Sequence, residues 1–161
     1  MSNHPPEHLP PEGLPLFRRT VQDDWIDYNG HLSEAYYVLV FGFATDALMA
    51  AAGLGPSYRE RSGCSLYTVE THVRYLREVA RGTELTVRTT VLGVDGKKLR
   101  FLHEMFAGEP TGEPVATGEQ FTLHVDRAAG RSVPLPEATR AFLAGLVAPA
   151  PPWAGHGIRE V

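Results

Sequence analysis

A chain of 161 residues with 43% hydrophobic and 21% charged side chains fits one folded domain with its own core, and excludes a disordered or fibrous polymer. A formal net charge of −4 argues against nucleic acid as the main partner, because phosphate backbones are bound by clustered Lys and Arg. The single cysteine, Cys64, excludes an internal disulfide, and the N-terminus lacks the basic and apolar pattern of a secretory leader, so the expected setting is the cytoplasm.

Residues 1–14 are rich in proline and poor in core-type side chains, and are expected to form a flexible N-terminal tail ahead of a domain spanning 15–147. Leu16 to Val21 alternates as a short strand. A turn at Asp27 to Gly30 then precedes Ser33, an N-cap type, and Glu34, whose charge suits the first turn of a helix. Tyr37, Phe41, Ala44, Leu48 and Ala51 recur at helical spacing, while Val38, Leu39, Phe43, Ala47 and Ala50 make the remaining surface apolar, so this helix is expected to be enclosed nearly all round. Thr45 and Asp46 inside it and the lack of basic flanks suit a buried helix better than a membrane span. Gly53, Gly55 and Pro56 end it.

The period then changes to two in four runs, Ser65 to Leu76, Glu84 to Val94, Lys98 to Ala107 and Val115 to Val125, separated by turn signals and expected as antiparallel strands in sequence order. In the third run neither face is purely polar, which points to packing between copies of the chain. His103, on its apolar face, reads as a structural histidine. A short helix is expected from Glu137 to Val147, followed by a Pro-rich C-terminal tail over 148–161. One helix followed by an antiparallel meander requires the sheet to curl around it, an α+β fold.

The run Asp-Tyr-Asn-Gly-His-Leu at 27–32, the tyrosine pair at 36 and 37 and the helix ending at Gly53-Leu54 resemble the hotdog-fold thioesterases related to 4-hydroxybenzoyl-CoA thioesterase. Thr68 to Val79, Gly82-Thr-Glu-Leu85 and Asp95-Gly-Lys-Lys-Leu99 are similar to the betainyl-CoA thioesterases of carnitine breakdown. The resemblance implies a long central helix wrapped by a curved antiparallel sheet of about five strands, acting on an acyl-CoA as a homodimer or homotetramer. It assigns Asp27, three positions before Gly30, the role of nucleophile or general base. The chemistry agrees: a thioester needs an activated attacker and a stabiliser for its developing oxyanion, and the amides of Gly30 to Ser33 at a helix start could supply the latter. An Asp in such a turn can also serve only to shape it.

Asn29 and His31 are accessory candidates, as hydrogen-bond donors or as caps of the turn. Glu70, placed by alternation on the face of Thr68, His72 and Arg74, is a candidate second acid or simply the partner of a neighbouring base. Lys97 and Lys98 after a tight turn are candidates for the coenzyme A phosphates or a solvated turn. A trimethylammonium acyl group would call for aromatic faces, for which Trp25, Tyr28, Tyr36 and Tyr37 are candidates. No serine-hydrolase elbow, paired-cysteine site or zinc-helix motif is present, so neither metal nor cofactor is expected beyond the coenzyme A carried by the substrate. The competing readings are a non-catalytic hotdog protein binding acyl-CoA or a quaternary ammonium metabolite, and an enoyl-CoA hydratase or dehydratase on the same fold.

Overall fold

A computed structural model describes residues 13–161. Strand β1 (Phe17–Thr20) leads through a 3-10 turn (Asp23–Trp25) to helix α1 (Glu34–Ala51), followed by helix α2 (Pro56–Ser62), for which the sequence gives only stop signals. Strands β2 (Cys64–Tyr75), β3 (Glu84–Asp95), β4 (Lys98–Ala107) and β5 (Ala116–Asp126) then form, with a two-residue strand β6 (Arg131–Ser132) and helix α3 (Glu137–Gly145) closing the domain. This is the expected hotdog architecture: one long helix lying on a single curved antiparallel sheet.

The order across the sheet is β1-β3-β4-β5-β2, with β6 added on β5. The expected sequence-order meander is therefore incorrect at one place. After β2 the chain crosses from the edge beside β5 to the other side of the sheet, where β3 pairs with β1 and β4. The crossover passes the start of α1: Leu32 donates its N–H to the Val79 carbonyl at 2.8 Å, and the Tyr37 hydroxyl donates to the Arg77 carbonyl at 3.0 Å. Alternation along a strand cannot reveal such a route, since each run is consistent with either neighbour.

The helix is seated by one close approach. A Cβ placed on Gly118 would lie 2.9 Å from the Phe41 ring, so the missing side chain on β5 makes room for the aromatic. Gly118 therefore faces α1, and the register places Phe101, His103 and Met105 of β4 and Val73 and Tyr75 of β2 on that same face. Core residues around the first half of α1 include Leu32, Tyr37, Val40, Phe41, Val87 and Met105, and those around its second half include Leu48, Met49, Leu54, Leu99, Phe101 and Leu143. The expectation of a helix enclosed all round is not met within one chain: Val38 and Leu39 are 45% and 39% exposed, because the sheet covers only one side.

Two expectations about the ends also change. Residues 1–12 of the expected N-terminal tail lie outside the described residues, but Leu14 packs against the second core cluster. Beyond α3, Ala148 donates to the Val91 carbonyl at 3.0 Å and Gly155 to Glu119 Oε1 at 2.7 Å, so the C-terminal segment is laid onto the domain rather than loose.

His103 is fully buried on the helix side of β4, stacked on Phe41 with ring centroids 5.6 Å apart. The Thr45 hydroxyl donates to the Phe41 carbonyl, so it accepts from His103 Nε2 at 2.9 Å, and Nδ1 then accepts from Thr89 at 2.8 Å. The neutral imidazole is thus satisfied at both nitrogens, as expected for a structural histidine. Burial lowers its pKa from 6.5 to about 3. A depressed folded pKa means stability present above pH 6.5 and lost as pH falls toward 3, because the unfolded chain takes up the proton first. Urea denaturation from pH 6.5 down to 5 should show a slope attributable to His103 that steepens toward about 1.4 kcal/mol per pH unit as the unfolded imidazole takes up its proton, and that is absent from His103→Leu. Gly118→Ala should cost about 1–3 kcal/mol in the same assay by overpacking Phe41.

Candidate active site

The run 27–32 folds as a small hairpin ahead of α1. Ile26 and Leu32 form an antiparallel bridge, and Asp27 donates its N–H to the His31 carbonyl at 2.9 Å. Asp27 Oδ1 accepts the Asn29 N–H at 2.8 Å and the Asp27 carbonyl accepts the Gly30 N–H at 3.0 Å, while Gly30 has φ of 81°, a conformation that favours glycine. The turn-shaping role of Asp27 is therefore real. It uses one carboxylate oxygen; Oδ2 has no hydrogen-bond partner among the described residues.

The expected oxyanion donors need correction. Of the amides of Gly30 to Ser33, Gly30 bonds Asp27, Leu32 bonds Val79 and Ser33 bonds the Trp25 carbonyl at 3.0 Å. Among the described residues, the N–H groups left without an acceptor between residues 27 and 36 are those of Tyr28, His31, Glu34 and Ala35. The latter two belong to the first turn of α1, where helix geometry leaves donors open and the Ser33 side chain does not cap them.

The structure brings together Asp27, Tyr28, Asn29, Gly30 and His31 in one turn, while the side chains of other candidates are spent in packing or lie elsewhere. The His31 side chain is turned to Glu78, with Nδ1 at 3.4 Å from Oε2, rather than to Asp27. Tyr28 is 98% exposed. Trp25 is buried with Tyr36 stacked on it at 5.5 Å and the Arg19 guanidinium 5.7 Å from its ring centroid, so it is already used in packing. Tyr37 is likewise buried with its hydroxyl committed to Arg77. Burial first, then the charges of Tyr75, Glu78 and Asp27, raise the Tyr37 phenol above its ordinary pKa and keep it protonated.

Glu70 is displaced by a bulge. The register shifts between Thr68 and Glu70, so Thr68 stays on the α1 side, bonding Gln120, while Glu70, His72 and Arg74 turn to the other face of the sheet. The expected shared face of Thr68 and Glu70 is thus incorrect, and Glu70 faces away from the α1 side within one chain. Lys97 and Lys98 sit in the β3–β4 hairpin, where Leu135 bonds the Gly96 carbonyl and Leu99 packs with Leu48 and Met49. That is the far end of α1, roughly 27 Å along an 18-residue helix at 1.5 Å per residue.

Glu78 and Tyr75 were missed by sequence reasoning. Tyr75 donates its hydroxyl to the Glu34 carbonyl at 3.2 Å and meets Tyr37 edge-on at 5.1 Å, while Glu78 faces His31. Tyr75 reaches the site from the last position of β2 and Glu78 from the crossover that follows, a route that no spacing in the chain announces. No cluster able to hold a metal ion is found among the described residues.

Residues 21–143 match the thioesterase-like superfamily, and the chain belongs to that family. It is 45% identical over 121 residues to betainyl-CoA thioesterase of Pseudomonas aeruginosa, covering 75% of this chain and 76% of that one. It is also 49% identical over 152 residues to L-carnitine dehydrogenase/betainyl-CoA thioesterase of Agrobacterium fabrum, covering 92% of this chain but spanning only 31% of that relative's length. Among solved structures, a Staphylococcus aureus protein, SAV2348, determined in complex with CoA, superposes with a TM-score of 0.82 at 25% identity, covering 91% of this chain and 94% of that one.

Proposed function

We infer that the chain hydrolyses a small acyl-CoA thioester to the free acid and coenzyme A, with betainyl-CoA as the substrate the site suits best. The observation that carries this reading is the pairing of a half-committed carboxylate with unspent helix amides. Asn29 holds Asp27 Oδ1, leaving Oδ2 to attack the thioester carbonyl or to take a proton from water. In this reading the open N–H groups of His31, Glu34 and Ala35 receive the carbonyl oxygen as it becomes an oxyanion, reinforced by the positive end of α1. In the general-base form, the water oxygen bonds to the carbonyl carbon, its proton passes to Asp27, and the C–S bond breaks to release the CoA thiolate.

Charge supports this choice of acyl group. Asp27 and Glu78 both act on the Tyr37 phenol, so two carboxylates bear on one small region, an environment that favours a cation. With Trp25 and Tyr37 consumed by packing, Tyr28 and the half-buried Tyr36 are the candidate aromatic surfaces left for a trimethylammonium group. The relatives named for betainyl-CoA support the same acyl group. The exposed Val38 and Leu39 of α1, with the open edge of β2, support a homodimer or a pair of dimers as the working form.

Asp27→Asn retains an acceptor for the Asn29 amide, so the fold should persist while thiol release from betainyl-CoA falls about a hundredfold or more. Near-normal turnover in that variant would remove Asp27 from the mechanism. Replacing the substrate nitrogen by carbon gives 3,3-dimethylbutyryl-CoA, a neutral isostere. Its kcat/KM should be about tenfold or more below that of betainyl-CoA, and equal values would exclude recognition of the positive charge.

A further inference from the structure

The C-terminal segment builds a second pocket. Trp153 lies with its ring centroid 4.9 Å from the Arg74 guanidinium, Gly155 donates to Glu119 Oε1, and His156 Nε2 pairs with the Pro152 carbonyl at 3.0 Å. The segment thereby straps the face of the sheet turned away from α1. Between strap and strand is a cavity of about 400 Å³ whose walls include His72, Arg74, Trp153, His156 and Arg159. That volume falls in the range of small-molecule sites.

The charge of this cavity is one-sided. Two guanidinium groups and two imidazoles line it, and no carboxylate does. Glu119, the register neighbour of His72, is consumed by Arg100 at 2.9 and 2.6 Å and by the Gly155 amide. Glu70, two residues before His72 on the same face, is exposed and outside the lining. Arg74 makes no ion pair among the described residues, and its Nε is buried without an acceptor. A guanidinium fixed against an indole, with a buried donor unspent, is an arrangement that an incoming anion would complete.

The geometry points to a binding site for a phosphate-bearing ligand on this face. A lone carboxylate is served by one guanidinium fork, whereas two guanidiniums with the His72 imidazole as a further donor match the several oxygens and double charge of a phosphate. The volume leaves room for a group attached to it. The site stands apart from Asp27: Arg74 and Tyr75 are adjacent on β2 but face opposite sides of the sheet, with only Tyr75 reaching α1.

Titration calorimetry on the full chain tests this with pyrophosphate, adenosine 3′,5′-bisphosphate and CoA as probes, using Arg74→Gln, Arg159→Gln and Asp27→Asn beside the unaltered protein. At least one probe should bind, and its affinity should fall about tenfold or more in each arginine variant while remaining unchanged in Asp27→Asn. Pyrophosphate binding as tightly as the nucleotides identifies a free phosphate compound as the ligand class; tighter binding of the bisphosphate and CoA identifies the phosphates of a nucleotide. Absence of binding by all three probes, or binding indifferent to both arginine substitutions, overturns the proposal. Should Arg74→Gln fail to fold, Arg159→Gln, at an exposed position, decides alone.

Discussion

The contact between Phe41 and the vacant side-chain position of Gly118 governs the rest of the molecule. Because an aromatic ring fills that space, α1 lies close against β5, and the alternation of every paired strand is set relative to it. His103 is drawn beneath the same ring, which is why an ionisable side chain is kept neutral in the middle of the domain. The two core clusters then divide along the helix, one around its start and one around its end.

The crossover from β2 to β3 converts this packing into a site. By running past the start of α1 it takes the Leu32 amide and the Tyr37 hydroxyl, and it delivers Glu78 to His31. The backbone of residues 26–33 is therefore held by hydrogen bonds to three separate stretches: itself, the 3-10 turn and the crossover. Preorganisation here comes mainly from main-chain bonds, as the amide donors of the proposed reaction would require.

Much of the local structure was legible in the sequence. The helix starting after Ser33, the four long strands and the turn at Asp27 to Gly30 all follow from period and turn chemistry, and the structure places them within about one or two residues of expectation. What was not legible depends on non-local choices. Strand neighbours cannot be read from alternation, so the route of the crossover, and with it Glu78 and Tyr75, stayed hidden. The commitment of the Leu32 and Ser33 amides depends on carbonyls of Val79 and Trp25, which no motif marks. The Pro-rich composition of the C-terminal segment suggested looseness, yet Trp153 and Gly155 find partners on Arg74 and Glu119.

The bulge in β2 has a consequence for how the chain can vary. Val69 is the extra residue, and it inverts the alternation so that even-numbered positions before it and odd-numbered positions after it look toward α1. Were Val69 drawn into regular pairing instead of bulging, the alternation would carry Arg74 toward the apolar interior and Tyr75 away from the helix it now touches. The irregular pairing at this point is thus constrained more tightly than the chemical identity of Val69, which is 54% exposed and makes a contribution that is chiefly one of spacing.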